Sequence, residues 1–354
     1  MGHKEYHIEN ISGLATAKIL VIYTGGTLGM IYDQEDHTLV PMNFEQLSRH
    51  IPELNRVQAE ITVIPIEPPI DSSDMRPEIW LELASLIEQK YDEYDGFVIL
   101  HGTDTMAYTA SALSFLFENL GKPVIFTGAQ LSLGVARTDA RENMITAIEL
   151  AADQTDNQPI LHEVCIYFNG RLLRGNRAKK KESSQFDAFQ SENYPMLAEV
   201  GVYCEYNYPY LFQKPSGPFT VYHQLDTGVL IIKLFPGLSN EMLAEMLKIK
   251  ELKAIILETY GSGNASSNEG FLRVLKATSN DGIIILNVSQ CQGGSVRQQD
   301  YATGLGLQNI GVISGKDLTT EAALTKLMFL LGQNLPKAEI ESLLQKNLRG
   351  EMAD

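Results

Sequence analysis

Two short segments gather hydroxyl groups beside glycines: Tyr23-Thr24-Gly25-Gly26-Thr27-Leu28-Gly29 and His101-Gly102-Thr103-Asp104-Thr105-Met106. A threonine hydroxyl becomes a nucleophile when a neighbouring group takes its proton. Glycines before Thr27 let a substrate approach the backbone closely, and Asp104 beside Thr103 supplies a charge that can hold a ligand or tune a neighbour. Each segment follows a fully apolar run, Ile19-Leu20-Val21-Ile22 or Phe97-Val98-Ile99-Leu100. Such runs read as buried parallel strands. Both threonines therefore fall at the carboxyl ends of strands, where open α/β sheets bind their ligands. The pairing predicts a hydrolase with a threonine nucleophile.

Other motifs are weighed against plainer readings. Thr24-Gly25-Gly26-Thr27 taken alone is an ordinary strand-to-helix turn, and no Gly-Lys-Ser/Thr follows to make it a phosphate loop. Gly261-Ser262-Gly263-Asn264 has the look of a dinucleotide turn, but the next strand ends near Asn287-Val288-Ser289 without the required acid, which rejects a nicotinamide site. His101 is a lone histidine at a strand end, more often structural than catalytic. The seven histidines are scattered, with no second His or Cys at ligand spacing, so no metal, no cofactor and no His-based triad are assigned. Asp71-Ser72-Ser73-Asp74 precedes a helix pattern at Pro77. It is either a helix cap or a polar rim offering donors to a carboxylate and acceptors to an ammonium. Arg174-Gly175-Asn176-Arg177 and then Lys179-Lys180-Lys181 resemble a solvated basic face. They follow a predicted strand in an acidic chain, so one lysine is expected to enter the site and pair with Asp104.

The elements that must position these residues alternate along the chain. Strands are expected at 18–23, 96–100, 123–127 and 163–168, then at 228–234, 252–258 and 282–288. Between the first four lie helix patterns such as 77–91, with Ile79, Trp80, Leu83, Leu86 and Ile87 on one face, and 104–120, apolar around most of its circumference. Later helices are expected near 240–248, 268–278, 318–333 and 336–346. The alternation implies an α/β fold of two domains, each a mainly parallel sheet flanked by helices. Asn207-Tyr208-Pro209-Tyr210 and Gln213-Lys214-Pro215-Ser216-Gly217-Pro218 break any helix. They place a linker at 204–223, between a catalytic domain at 1–203 and a second domain at 224–354.

Composition sets outer limits. A chain of 354 residues with 44% hydrophobic and 20% charged residues is globular and long enough for two cores. Its net charge of -16 repels phosphate backbones and anionic membranes, which argues against a nucleic-acid partner. No apolar run approaches the ~20 residues needed to span a bilayer, and no apolar leader follows Met1. Cys165, Cys204 and Cys291 are odd in number, and two lie in strand-like runs, so they read as reduced thiols of a cytoplasmic protein.

Taken together, the motifs carry a resemblance. Thr24–Thr27, Asp71–Met75, His101–Met106, Arg174–Arg177, Tyr260–Asn264 and Leu348–Glu351 stand in the order found in the L-asparaginases, and the chain resembles their cytoplasmic bacterial (type I) branch from Tyr23 to about Glu351. Six motifs in register make the resemblance specific. It implies hydrolysis of L-asparagine to L-aspartate and ammonia, with Thr27 attacking the side-chain amide carbon and water resolving the acyl-enzyme. It further implies that Thr103 stands opposite with Asp104 and Lys180 as a proton-handling group. In the family the functional lysine stands third after the second arginine of the Arg174–Arg177 turn, which selects Lys180. Backbone N–H groups near Thr103 and Ala129 would stabilise the oxyanion. Asp71, Ser72, Ser73 and Asp104 would hold the α-carboxylate and α-ammonium. Asn264 would reach a neighbouring subunit's site, in a homodimer or a dimer-of-dimers tetramer.

One departure stands out. Many members carry a tyrosine in the loop after the Thr27 turn, where this chain has Leu39; Tyr32 is out of register, and Tyr301 is the candidate activator in its place. Rival readings are a mixed glutaminase-asparaginase, separated by a single methylene of substrate, and the amidase subunit of a glutamyl-tRNA amidotransferase. From another class, a non-catalytic amino-acid sensor would need Ser72 and Asp104 but not two threonines and a lysine.

Overall fold

In the computed structural model, which describes residues 4–8, 15–32, 39–41, 47–300 and 302–354, the chain divides into two units, 1–223 and 224–354. Among the described residues the first unit carries a nine-stranded sheet. Its strand order is Tyr6–Ile8, Ala59–Pro65, Ala17–Tyr23, Gly96–Leu100, Val124–Thr127, Val164–Phe168, Arg171–Arg174, Ala198–Val200 and Cys204–Tyr206. The strands from Ala59–Pro65 to Val164–Phe168 are parallel, and those outside them pair antiparallel. The apolar runs form the middle of this sheet because both of its faces are covered: Ile19, Leu20, Val21 and Ile22 are fully buried, as are Phe97, Val98, Ile99 and Leu100.

Register decides where function can sit. Tyr23 lies opposite both Pro65 and Leu100, and Leu100 lies opposite Thr127. Four parallel strands therefore end level with one another, and the segments after them emerge along one edge. The strand Ala17–Tyr23 connects onward to Ala59–Pro65 on one side, and the chain then crosses to Gly96–Leu100 on the other. The crevice between the Tyr23 and Leu100 ends is thus a topological switch point, the usual ligand position of such sheets.

Helices cover the faces. Pro77–Lys90 starts with proline in its first turn and buries Ile79, Trp80, Leu83, Leu86 and Ile87, the face its periodicity marks. Met106–Leu116 is buried almost all round, as its composition demands. It stops short of the expected 120 because Phe117–Glu118 turns into a strand paired with Thr220–Val221. Ala140–Ala152 is a helix that the sequence reading did not separate out, and Ala59–Pro65 and Arg171–Arg174 are strands it did not name.

Residues 204–223, expected as a linker, are instead part of the first unit. Cys204–Tyr206 extends the large sheet by pairing with Ala198–Val200. The buried pair of Arg174 and Glu163, 2.5 Å apart, takes in two further groups: Arg174 donates to the Tyr210 carbonyl, and Glu163 accepts the Phe212 N–H. The guanidinium also lies over the rings of Tyr194 and Phe212. A buried charge needs such partners, so the pair pins a proline-broken segment that local propensity leaves free.

The second unit is a four-stranded, all-parallel sheet in the order Val229–Lys233, Ala254–Thr259, Ile284–Ser289 and Ile313–Ser314. Its helices are Asn240–Met246, Glu269–Asn280, Ala302–Gln308, Thr320–Gly332 and Lys337–Leu344. Side chains of Ser239, Asn268 and Thr319 cap three of them by accepting first-turn N–H groups, which sets where they begin. Among the described residues no helix is long and apolar enough to cross a membrane.

Candidate active site

The turn after Tyr23 meets the turn after Leu100 through glycines. Gly26 has φ +84°, and a Cβ there would lie 2.6 Å from the Gly102 Cα. A Cβ on Gly102 would in turn lie 2.5 Å from the Ser72 hydroxyl oxygen. Only hydrogen fits at either place, so Gly26, Gly102 and Ser72 are stacked in van der Waals contact. Thr27 and Thr103 each follow one of these glycines. Thr27 opens a single 3-10 turn, Thr27–Gly29, and is exposed. Thr24, by contrast, is buried and donates to the Leu100 carbonyl at 3.1 Å, closing the strand ends together.

Beside Thr103 lies Lys180. Its Nζ donates to Thr103 Oγ1 at 2.7 Å and to Asp104 Oδ1 at 2.5 Å. The lysine side chain is 18% exposed and the aspartate 64%, so the pair opens to solvent on the carboxylate side only. Lys180 reaches this position from a two-stranded ribbon, Lys179–Lys180 against Phe189–Gln190. Alternation along the ribbon sends Lys181 elsewhere, to Asp187 at 3.0 Å.

The residues expected to form a substrate rim are arranged less simply. Ser72 is buried, and its carbonyl accepts the Thr105 hydroxyl at 2.6 Å, which ties the 71–74 turn to the Thr103 turn. Asp71 is exposed and caps the 3-10 turn Ser72–Asp74: Oδ1 accepts the Ser73 N–H at 2.9 Å and the Ser73 hydroxyl at 2.8 Å. Those two donors, the backbone N–H foremost, hold the Asp71 carboxyl below the usual carboxylate range. Ala129 is buried just past the end of Val124–Thr127.

His101 is wholly occupied. Its Nδ1 lies 2.7 Å from the Gly102 carbonyl, which can only accept, so the proton is on Nδ1. Nε2 then accepts from the Thr109 hydroxyl at 2.9 Å, and Thr109 accepts from Trp80 Nε1 at 3.0 Å. Burial holds the imidazole pKa down to about 4, so the ring is neutral and fixes the Gly102 carbonyl in place. It is a structural histidine.

Sequence reasoning missed the cradle under residues 128–131. Asp139 accepts the N–H of Gln130 at 3.0 Å and of Leu131 at 3.0 Å. Asn143 donates to the Gly128 carbonyl at 3.0 Å. These residues flank the start of Ala140–Ala152, and a helix beginning with Asp and Asn was the available signal.

Asn264 belongs to the second unit, in a tight turn where its backbone exchanges two hydrogen bonds with Tyr260. Tyr301, the proposed activator, lies outside the described residues, and the side chains of Tyr32 and Leu39 are not described either. Among the described residues no group of three or more His, Cys, Asp or Glu is placed to hold a metal ion.

This geometry has close counterparts. Residues 18–211 match the model of the asparaginase N-terminal domain, and residues 228–344 match that of the glutaminase/asparaginase C-terminal domain. L-asparaginase 1 of Escherichia coli K12 is 43% identical over 335 residues, covering 94% of this chain and 97% of that protein. The crystal structure of L-asparaginase I from Vibrio cholerae, also 43% identical, superposes with a TM-score of 0.86 over 95% of this chain and 99% of that one. The thermostable L-asparaginase of Thermococcus kodakarensis, 32% identical, gives 0.87 over 95% and 99%. With both halves of the chain matched, and a threonine–lysine–aspartate cluster at the switch point of its sheet, the chain belongs to the asparaginase family.

Proposed function

We propose that the chain is an L-asparaginase, an amidohydrolase that converts L-asparagine to L-aspartate and ammonia through an acyl-enzyme on Thr27. The observation that carries this reading is Lys180 Nζ lying between Thr103 Oγ1 and Asp104 Oδ1, beside the glycine contact that brings the Thr27 turn to the Thr103 turn. Kinship with L-asparaginase 1 of Escherichia coli supports the substrate.

In this reading the Thr27 hydroxyl oxygen attacks the amide carbon, and backbone N–H groups near Thr103 and Ala129 receive the developing oxyanion. Collapse breaks the C–N bond, and the nitrogen leaves as ammonia after gaining the proton that the Thr27 hydroxyl gave up. Water then adds to the ester, losing its proton on the Thr103–Lys180–Asp104 side; the bond from the carbonyl carbon to Thr27 Oγ1 breaks, Thr27 takes a proton back, and L-aspartate departs. Lys180 suits this work because it touches a hydroxyl and a carboxylate at once, and a lysine beside both can take and return a proton.

Ammonia release from L-asparagine and L-glutamine, measured side by side, tests the reading. L-Asparagine should be turned over, and Thr27→Ala should lose at least ~10²-fold in kcat while still binding L-aspartate. Near-normal turnover by Thr27→Ala overturns the mechanism, and turnover of L-glutamine alone overturns the substrate.

A further inference from the structure

We infer that Gln130 is a positioning residue: it fixes the direction of the Thr103 hydroxyl proton and thereby sets the pH at which Lys180 can accept it. The inference rests on the proposed reading of Thr103 and Lys180 as a proton-handling pair.

The geometry leaves little freedom. Gln130 Nε2 lies 2.9 Å from the main-chain carbonyl of Gln185, and a carbonyl can only accept. The amide group of Gln130 must therefore face Gln185, and Oε1 is the atom turned toward Thr103, 3.4 Å from its hydroxyl. An amide oxygen also only accepts, so Thr103 donates to it. On the other side of the same hydroxyl stands Lys180 Nζ at 2.7 Å, and an ammonium has only protons to give. The Thr103 oxygen consequently accepts from Lys180 and sends its own proton to Gln130. In this state the proton points away from the lysine.

For Thr103 to hand its proton to Lys180, the amine must be neutral, and the hydroxyl must turn from Gln130 to Nζ. The bond to Gln130 is lost in that turn. Gln130 thus stabilises the state with charged Lys180 and holds the neutral state back.

The root of the side chain is rigid enough for such a role. The Gln130 N–H is held by both carboxylate oxygens of Asp139, at 3.1 and 3.0 Å, and Asn143 ties the same carboxylate at 3.2 Å to the Gly128 carbonyl. At its other end the amide grips the segment that follows Lys180 and returns to Phe189, where Lys181 N–H meets the Ala188 carbonyl at 2.8 Å. One half-buried glutamine therefore joins the Thr103 turn to the loop behind the Lys180 ribbon.

The test compares pH profiles of kcat/KM for L-asparagine in the wild type, Gln130→Met and Gln130→Glu. Met removes the acceptor at similar length, so the acid limb should move to lower pH by roughly half a unit or more. Glu adds a charge that favours the ammonium, so the limb should move to higher pH. The Lys180 Cε resonance, titrated by NMR in each variant, should shift in the same two directions, even where turnover is too low to measure. Opposed shifts support the role. Profiles and titrations that stay in place, with only melting temperature or KM altered, overturn it and leave the functional reading intact. A wild type that releases no ammonia from L-asparagine overturns that reading, and with it this inference.

Discussion

Lys180 and Lys326 each sit against a carboxylate, Asp104 at 2.5 Å and Glu351 at 2.6 Å, yet the two pairs have opposite surroundings. Lys326 and Glu351 are both fully buried. Lys326 spends its remaining protons on the carbonyls of Lys346 at 2.6 Å and Leu344 at 3.3 Å, with Met352 Sδ at 3.4 Å. Glu351 accepts the N–H groups of Leu348 at 3.0 Å and Arg349 at 2.6 Å. Burial pulls the Lys326 pKa down against the pull of Glu351, and every partner is a fixed backbone or side-chain group. The pair therefore nails the Leu348–Glu351 turn to the helix Thr320–Gly332. Lys180, by contrast, touches a hydroxyl that can turn and a carboxylate open to water. On the proposed function, what separates the structural pair from the one assigned to proton transfer is whether its protons have anywhere to go.

Exchanging each lysine for methionine should divide the two effects. Lys180→Met is expected to lower kcat by about 10²–10⁴-fold, the range for a lost acid–base group, with the melting temperature nearly unchanged. Lys179→Met and Lys181→Met should keep most of the activity, since Lys181 turns away from Thr103 to a half-buried pair with Asp187. If a neighbour's variant is inactive and Lys180→Met is not, the reactive lysine has been misassigned.

Lys326→Met should do the reverse. It leaves Glu351 buried without its cation, which costs about 3–5 kcal/mol of stability by denaturant unfolding. Turnover per folded molecule should hold. A loss of kcat at unchanged stability would erase the distinction between the two pairs.

His101 supplies a milder intermediate case, a buried titratable group kept neutral. Its folded pKa of about 4 lies below the ordinary histidine value, so between about pH 6.5 and 4 the unfolded chain binds a proton that the native site refuses. Stability contributed by the neutral ring is complete above that window and declines as pH falls through it, by up to roughly 3 kcal/mol. Melting temperature followed over this range should fall more steeply in the wild type than in His101→Gln. Parallel curves would mean that the ring is protonated in the folded protein.

Much of this was legible in the chain because it depends on local pattern. Strands buried on both faces must be apolar throughout, and the runs at 19–22 and 97–100 are. The glycines at 25, 26 and 102 and the threonines that follow mark strand-end turns by residue type alone. Less legible was Ala59–Pro65, whose Glu60 and Thr62 interrupt the apolar run because that strand stands next to the sheet's edge. The proline-rich stretch at 204–223 read as a linker because its anchors, Glu163, Arg174 and the strand Phe117–Glu118, lie far away in sequence.

By itself the sequence determined which groups are available: two strand-end threonines, an aspartate, three adjacent lysines, and sheets that alternate with helices. Side-chain period and glycine placement act over a few residues, and the chain spells them out directly. Residue types and spacing left the three lysines equivalent until the family resemblance selected Lys180; the tertiary structure brings it to Thr103 across 77 residues and, by the alternation of a two-residue ribbon, sends its neighbour to Asp187. The tertiary structure alone brings Gln130 within 3.4 Å of Thr103, sets Asp139 under residues 130 and 131, and closes Glu351 on Lys326. Hydrogen bonds are satisfied in space, and a buried donor is met by whatever acceptor the fold brings within about 3 Å, however distant in sequence.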